Sequence, residues 1–382
     1  MTEVNKPALL IFNDQFYPAY KAGGPVQSLT NLALALQHEY AVSIVAGAYD
    51  LNDDHMLDDV KPGQWSEVIL PRSSSSLHVW YAGKGEPRSA TIKKIIGDVK
   101  PAIVYLNGMF SFRYVMLPLF NTKKIKIVIC PRGMLQKGAL AGKALKKKIY
   151  LAALRMSGIM NNVSWHATNE EEQEDIIREF GKHSNVFVAG NIPKKPVSHV
   201  SRLSKKAGEL RLVYLSLISE KKNLLQTIDL VSQAREKISL HIYGPVKDEG
   251  YWKKCMEAID KSDGKVEYRG NVLPEKVQDI FSGYHASVLL TKGENFGHAL
   301  YESLSAGRPV ITSYFTPWNG LLAKNAGWNV DISDEKSIIN TISEICNLDE
   351  RSYDLFYDGA FRLANDYYLK GFDIDNYRKM FS

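Results

Sequence analysis

The chain is 382 residues long, 45% hydrophobic and 24% charged with a formal net charge of +6, ordinary usage for a large globular chain of two domains. No segment approaches a membrane span, residues 1–7 lead into the first strand without an apolar signal region, and three scattered cysteines fit a reducing cytoplasm rather than a disulfide framework or thiolate metal site. Nine histidines without H-E-x-x-H spacing, and the lack of a Gly-x-Ser-x-Gly elbow, set aside metal-dependent hydrolysis and acyl transfer.

Strand-like runs alternate with helical ones along the chain, the pattern of doubly wound α/β layers. The first strand, Ala8–Phe12, precedes Lys21-Ala-Gly-Gly24-Pro25 and the amphipathic run Val26–Gln37, with Pro25 near the helix start, where its missing N–H does no harm. Gly23 and Gly24 either let the backbone approach a diphosphate or form a plain tight turn. After the second strand, Val42–Ala46, the acidic stretch Asp50–Asp59 misses the calcium-loop pattern and reads as a solvated loop.

Further strands are read at His78–Ala82, Ile103–Leu106, Ile127–Cys130, Ser164–Ala167 and Val186–Val188. Asn107 and Arg132 follow two of them, at strand ends that face a binding crevice in this class of fold. Arg132 is either a cation for phosphate or acceptor, or a salt-bridged surface residue. Between them and the chain's middle, Lys143-Ala-Leu-Lys-Lys-Lys-Ile-Tyr-Leu-Ala-Ala-Leu-Arg155 sets a lysine cluster beside an apolar helical run. It reads as a helix docking on an anionic membrane or as a solvated face of a packed helix. The basic stretch Asn191–Gly208, with two prolines and no periodicity, has a linker's composition. A second series follows: Leu210–Ser216, Leu240–Tyr243, Val266–Arg269, Val288–Thr291 and Val310–Thr312.

The segment Glu294-Asn-Phe-Gly-His-Ala-Leu-Tyr-Glu302, then Ala306-Gly-Arg-Pro-Val310, lies between two of these strands and reads as a turn entering a helix. The first N–H groups of a helix lack intrahelical partners and sit at the positive end of its dipole, so anions collect there. The amides from Phe296 through Gly297, His298 and Ala299 to Leu300 would hold a diphosphate, Gly297 letting the backbone come close. Glu294 and Glu302, about two helical turns apart, would flank it and accept hydroxyls of a glycosyl group and a ribose.

This motif is similar to the E-x7-E motif of the retaining family 4 glycosyltransferases. The resemblance implies that Glu294 contacts the transferred sugar and Glu302 the ribose, with Asn295 inside the donor loop. It implies a glycine-rich loop, here Gly23 and Gly24, opposite the donor, and a possible acceptor contact at Asn107, where relatives often carry a histidine. Tyr214–Asn223 resembles the family segment that supplies an arginine and, five residues later, a lysine to the donor phosphates. Lys222 keeps the lysine, Leu217 stands in the arginine's place and Asn223 replaces the usual glycine. A lost bidentate cation weakens diphosphate binding by about 1.5–3 kcal/mol unless Arg132 or Lys221 substitutes.

The expected fold class is α/β of the GT-B type, two Rossmann-like domains facing each other across a cleft. The expected bounds are an acceptor-side domain at 1–192, a linker at 193–209, a donor domain at 210–364 and, at 365–382, a terminal helix crossing back. The implied activity is retaining, metal-independent transfer from a UDP- or GDP-linked sugar to a glycan or lipid-linked glycan acceptor, as in surface-glycan assembly. No cofactor, metal or nucleic acid is expected, and the expected place is the cytoplasm, peripheral on the inner face of the plasma membrane. A non-catalytic GT-B scaffold, a sugar-nucleotide epimerase and a glycan phosphorylase are the alternatives. A nicotinamide oxidoreductase fails on the missing G-x-G-x-x-G.

Overall fold

The computed structural model describes residues 6–70, 76–122, 124–141, 144–196, 201–234, 236–370, 372 and 374–382. Met1–Ile192 with Phe372–Ser382 form one compact unit and Pro193–Gly371 the other. The N-terminal residues read as lacking a signal region lie outside the described residues through Asn5, as does Lys143 of the lysine cluster.

In the first unit the strands are β1 (Ala8–Phe12), β2 (Ala41–Gly47), β3 (Trp65–Ile69), β4 (Ser76–Ala82), β5 (Ile103–Asn107), β6 (Lys126–Cys130), β7 (Val163–Ala167) and β8 (Asn185–Val188). They form one eight-stranded sheet in the order β3-β4-β2-β1-β5-β6-β7-β8. All neighbours are parallel except the antiparallel edge pair β3 and β4. Both faces are covered. Leu9 and Ile11 enter one buried cluster with Leu29, Leu32 and Leu36 of the helix Gly24–Leu36, while Leu10 and Phe12 enter another with Ile92, Ile95 and Val115. A strand buried on both faces needs a continuous apolar run, which is why Ala-Leu-Leu-Ile-Phe does not alternate.

In the second unit β9 (Glu209–Leu215), β10 (Lys237–Tyr243), β11 (Val266–Tyr268), β12 (Ala286–Leu289), β13 (Val310–Ser313) and β14 (Gly327–Val330) form a parallel six-stranded sheet ordered β11-β10-β9-β12-β13-β14. Each sheet reverses its winding once: between β1 and β5 in the first unit, between β9 and β12 in the second. Ligands of open α/β sheets bind outside the carboxyl ends of the strands at such switch points.

Four features differ from the sequence expectation. The edge strand β3 escapes it because Trp65-Ser-Glu-Val-Ile69 is half-exposed, and β14 because Gly-Trp-Asn-Val is too short to show a period. The segment 201–208 is no free tether. Lys205 is buried and its ammonium donates to the carbonyls of Lys206, Cys346 and Leu348 at 2.9, 2.6 and 3.0 Å, closing the C-terminal end of the helix Glu335–Cys346. Residues 197–200 of the same stretch lie outside the described residues. The terminal stretch is two helices, Glu350–Lys370 in the second unit and Ile374–Phe381 in the first. Tyr377, Met380 and Phe381 join the buried cluster against β1 and β5, and the Tyr377 hydroxyl donates to the Gly190 carbonyl at 2.7 Å.

Candidate functional site

The second unit's switch point is built from the loops that leave β9 and β12. They are tied to one another: the Lys221 carbonyl accepts the Lys292 N–H at 2.8 Å and the Thr291 hydroxyl at 3.2 Å. Across this seam the Lys222 ammonium donates to Oε1 of Glu294, with the two side chains only 19% and 10% exposed. The Glu294 N–H donates to the Phe315 carbonyl at 2.9 Å, so the loop after β13 fixes the glutamate's backbone. Lys221 lies beside the pair, since a Cβ on Gly293 would meet its Cε at 3.3 Å and Nζ at 3.8 Å.

Lys222 ends a short helical turn, Glu220–Lys222, and Asn223 follows in the left-handed region at φ 56°. Asparagine is among the few non-glycine residues that adopt this conformation readily, so it can stand where the resemblance implied a glycine. Leu217 is half-buried and outside the buried clusters, whereas its neighbour Ile218 is a core residue. On the far side of the seam, the loop after β10 closes onto β9. Gly244 has φ 138°, and a Cβ there would sit 1.9 Å from the Ser216 carbonyl oxygen.

The helix after Glu294 spans His298–Ser305, with Gly297 in the left-handed region at φ 77° before it. The first intrahelical bond is Tyr301 N–H to the Gly297 carbonyl at 3.0 Å, so the His298, Ala299 and Leu300 amides have no acceptor within the helix. The Phe296 carbonyl is turned away, accepting the Trp318 indole N–H at 2.6 Å. Phe296 and Leu300 are core side chains and offer a ligand only their backbone, while Asn295, His298 and Glu302 are half-buried. Sequence reading thus marked Glu294, Asn295, Phe296, Gly297, His298, Ala299, Leu300, Glu302 and Lys222, and the fold brings them to one end of one sheet.

The first unit holds the remaining candidates. Gly23 has φ 67° and Gly24 opens the helix Gly24–Leu36. The turn before them hangs on buried Asp50, whose carboxylate accepts the N–H groups of Tyr20 at 2.9 Å, Lys21 at 3.1 Å and Leu51 at 2.7 Å. Lys21 pairs with Asp53 at 2.6 Å, and that bond holds the Asp53 carboxyl down at about 2. The acidic stretch is therefore partly a brace for the glycine turn, and among the described residues no group of three acidic, histidine or cysteine side chains is placed to hold a metal.

Asn107 and Arg132 lie together but are committed to one another. Asn107 is 2% exposed and its amide donates to Asn13 Oδ1 at 2.9 Å. Arg132 donates from Nε to Asn107 Oδ1 at 2.6 Å, from Nη1 to Asn191 Oδ1 at 2.5 Å and from Nη2 to the Tyr105 hydroxyl at 3.2 Å. Each nitrogen of the Arg132 guanidinium thus has an acceptor in its own unit, and three of its five N–H groups are engaged there. Buried Glu172 completes this layer, accepting from Gly133 N–H at 2.5 Å and from Thr168 N–H and hydroxyl at 2.8 and 2.7 Å. Sequence reading singled out no role for Glu172, took Asp50 as part of a solvated loop and Asn191 as the start of a linker, since nothing local distinguishes a side chain that braces the fold from one that is solvated.

With the geometry in place, residues 198–358 match the family model described as glycosyl transferases group 1. No curated protein matches the chain. Among solved structures, the chain is similar to Anabaena HepE in complex with UDP and glucose, at 14% identity and a TM-score of 0.64 over 94% of this chain and 95% of that one. It is similar to sucrose-phosphate synthase from Thermosynechococcus elongatus, at 14% identity and TM-score 0.67 over 98% and 99%. It is also similar to a mutant of S. aureus TarM in complex with fondaparinux, α-GlcNAc-glycerol and UDP, at 13% identity and TM-score 0.67 over 99% and 100%. These likenesses show the fold, GT-B with two Rossmann-like domains.

Proposed function

We propose that the chain is a glycosyltransferase that moves a sugar from a UDP- or GDP-linked donor to an acceptor hydroxyl with retention of anomeric configuration and without a metal ion. The observation that carries this reading is the Lys222–Glu294 pair at the switch point, beside the N-terminal amides of the His298 helix. One cation and a row of backbone N–H groups suit a diphosphate, and a carboxylate at the same spot suits the hydroxyls of the sugar attached to it.

In the transfer, the Lys222 ammonium and the 298–300 amides take up negative charge developing on the leaving phosphate, held in place before the reaction begins. Glu294 exchanges its bond from Lys222 to the donor sugar and fixes the ring. Glu302 binds the ribose, and the Gly23–Gly24 turn approaches the diphosphate. Lys221, packed over Gly293, supplies the second positive charge that Leu217 does not. The UDP in the HepE and TarM complexes, and the sugar-bearing ligands in the latter, support the donor class and a glycan acceptor.

The setting we favour is surface-glycan assembly (capsule, O-antigen or exopolysaccharide) at the cytoplasmic face of a membrane. No helix among the described residues is long and apolar enough to cross one. On the helix Ala144–Met156, however, Leu145, Ile149 and Met156 are 73%, 62% and 88% exposed, and Lys146, Lys148 and Arg155 are exposed among them. Lys147 points elsewhere, donating to the Ala139 carbonyl at 2.5 Å and lying over the Phe110 ring. An apolar stripe flanked by cations is the surface that anionic lipid attracts.

A nucleotide-sugar panel screened by thermal shift, then transfer followed by anomeric NMR, tests the reading. Stabilisation by a UDP- or GDP-sugar and an α-linked product from an α-linked donor are expected. A chain that binds no nucleotide sugar overturns it.

A further inference from the structure

We propose that Asp14 is a substrate-binding carboxylate, taking a hydroxyl of the acceptor sugar at the switch point of the first unit. This rests on the glycosyl-transfer reading and adds to it a residue and a ligand class on the acceptor side.

The position follows from the topology. Asn13 and Asp14 are the residues that leave β1 at its carboxyl end, where the sheet reverses between β1 and β5. The segment leaving β5 brings Ser111 to the same point, and its hydroxyl donates to Asp14 Oδ1 at 2.7 Å.

The backbone here is pinned on both sides. The Asn13 N–H continues the ladder to the Val45 carbonyl at 3.1 Å, and the Asp14 carbonyl accepts the Gly47 N–H at 3.0 Å. Gly47 allows that approach, because a Cβ there would come within 2.8 Å of the Asp14 oxygen. Asn13 Oδ1 is in turn held by the Asn107 amide at 2.9 Å. A carboxylate mounted this way is preorganised rather than mobile.

What distinguishes Asp14 is how little the protein asks of it. Asp50 and Glu172, the two buried carboxylates of this unit, each accept three donors and hold backbone in place. Asp14 is half-buried yet has Ser111 as its one hydrogen-bond donor among the described residues, and no cation pairs with it. An ionised carboxylate has roughly four acceptor positions, so most of its capacity is unused. Burial pushes its carboxyl above the usual carboxylate range, the Ser111 bond opposing. A desolvated carboxylate without cation or braced backbone is a standing cost unless a ligand fills it.

The chemistry selects the ligand. A negative group with no neighbouring cation repels phosphate, so the donor's diphosphate is the wrong partner. A neutral polyol, which donates several O–H groups and carries no charge, is the right one.

The test is saturation-transfer NMR on the full chain in the presence of UDP, with methyl α-glucoside, methyl α-galactoside and methyl α-N-acetylglucosaminide as probes. The wild type should show transfer to at least one glycoside. Asp14→Asn, which keeps the shape, should lower it roughly fivefold, the loss of a charge-assisted hydrogen bond. Ser111→Ala, which removes the pin but keeps the carboxylate, should lower it less. Asp14→Ala is added where its melting curve matches the wild type. Undiminished transfer in Asp14→Asn overturns the proposal, as does a wild type that binds UDP but none of the three glycosides. A wild type that binds neither UDP nor glycoside overturns the glycosyl-transfer reading itself.

Discussion

Lys222 and Glu294 lie 72 residues apart in the chain and meet as an ion pair with both side chains largely shielded from solvent. They come together because β9 and β12 are neighbours in the sheet although two strands, β10 and β11, lie between them in the chain. The pair joins the group suited to a phosphate to the group suited to a sugar, so it marks where the bond between them would break. It also means that the two residues satisfy one another before any ligand arrives, and a donor must replace that contact with its own.

Leu217 stands where the resemblance to family 4 glycosyltransferases implies an arginine, and its side chain is half-buried outside the clusters that hold the domain together. Leu217→Arg should therefore tighten nucleoside-diphosphate binding by roughly tenfold, about 1.4 kcal/mol, and shift stability by no more than about 0.5 kcal/mol. Calorimetry with UDP and GDP beside a melting curve checks both. A fall in melting temperature without tighter binding would mean that the guanidinium is buried unpaired.

Gly244 and Gly23 make a controlled pair of backbone substitutions. At Gly244 a Cβ would lie 1.9 Å from the Ser216 carbonyl oxygen, whereas at Gly23 it meets nothing within 4 Å. Gly23→Ala should cost only the strain of its positive-φ backbone, φ 67° and ψ −125°, about 1–3 kcal/mol. Gly244→Ala should cost more and should also disturb the loop that carries Lys222. Urea unfolding of both variants decides it; equal losses would show that the close approach at Gly244 is readily relieved.

His285 gives the stability a predictable pH dependence. It is buried, Nδ1 accepting the Arg211 N–H at 2.9 Å and Nε2–H donating to the Ser204 carbonyl at 3.1 Å, and burial pushes its pKa down from 6.5 to about 4. The unfolded chain takes up the proton first as pH falls, so stability held above pH 6.5 should decline between there and pH 4, by about 2 kcal/mol at pH 4.5. His166, buried in the first unit between the Tyr105 hydroxyl and the Ala189 carbonyl, shifts the same way to about 3. Denaturant midpoints at pH 7 and 4.5, with His285→Gln expected to shrink the difference, measure this. A difference unchanged in the variant would place the proton uptake elsewhere.

The exposed stripe on the helix Ala144–Met156 predicts salt-sensitive flotation with anionic vesicles and none with neutral ones. Lys146→Glu with Lys148→Glu should abolish it, each lysine being worth about 1 kcal/mol near anionic lipid. Lys147 is left in place because it holds the Ala139 carbonyl. Flotation with neither vesicle type would argue for a soluble acceptor.

Much of the candidate donor site was legible in the sequence because its parts are local: strand, glycine turn, amides and two glutamates follow one another between Ala286 and Glu302. Most strands of both sheets were readable for the same reason, where apolar runs are bounded by turns, but the half-exposed β3 and the short β14 were not. Pairings across the fold were not. Nothing near Arg132 announces that Asn107, Asn191 and Tyr105 will occupy its guanidinium, and an arginine at a strand end looks the same whether it waits for a phosphate or closes a buried network. Asp14 was overlooked as an ordinary polar residue after a strand, while the Asp50–Asp59 run drew notice by its density. Partner count separates them, and only the fold supplies that.

The most direct measurement is the affinity of UDP and GDP for the wild type, Lys222→Ala and Glu294→Ala by calorimetry. The account predicts that one of the two nucleotides binds the wild type and that Lys222→Ala weakens it by about 1.5–3 kcal/mol. Glu294→Ala should hold or tighten diphosphate affinity, since it frees Lys222 from its partner. Failure of the wild type to bind either nucleotide, or undiminished binding in Lys222→Ala, would contradict the assignment of this seam as the donor site.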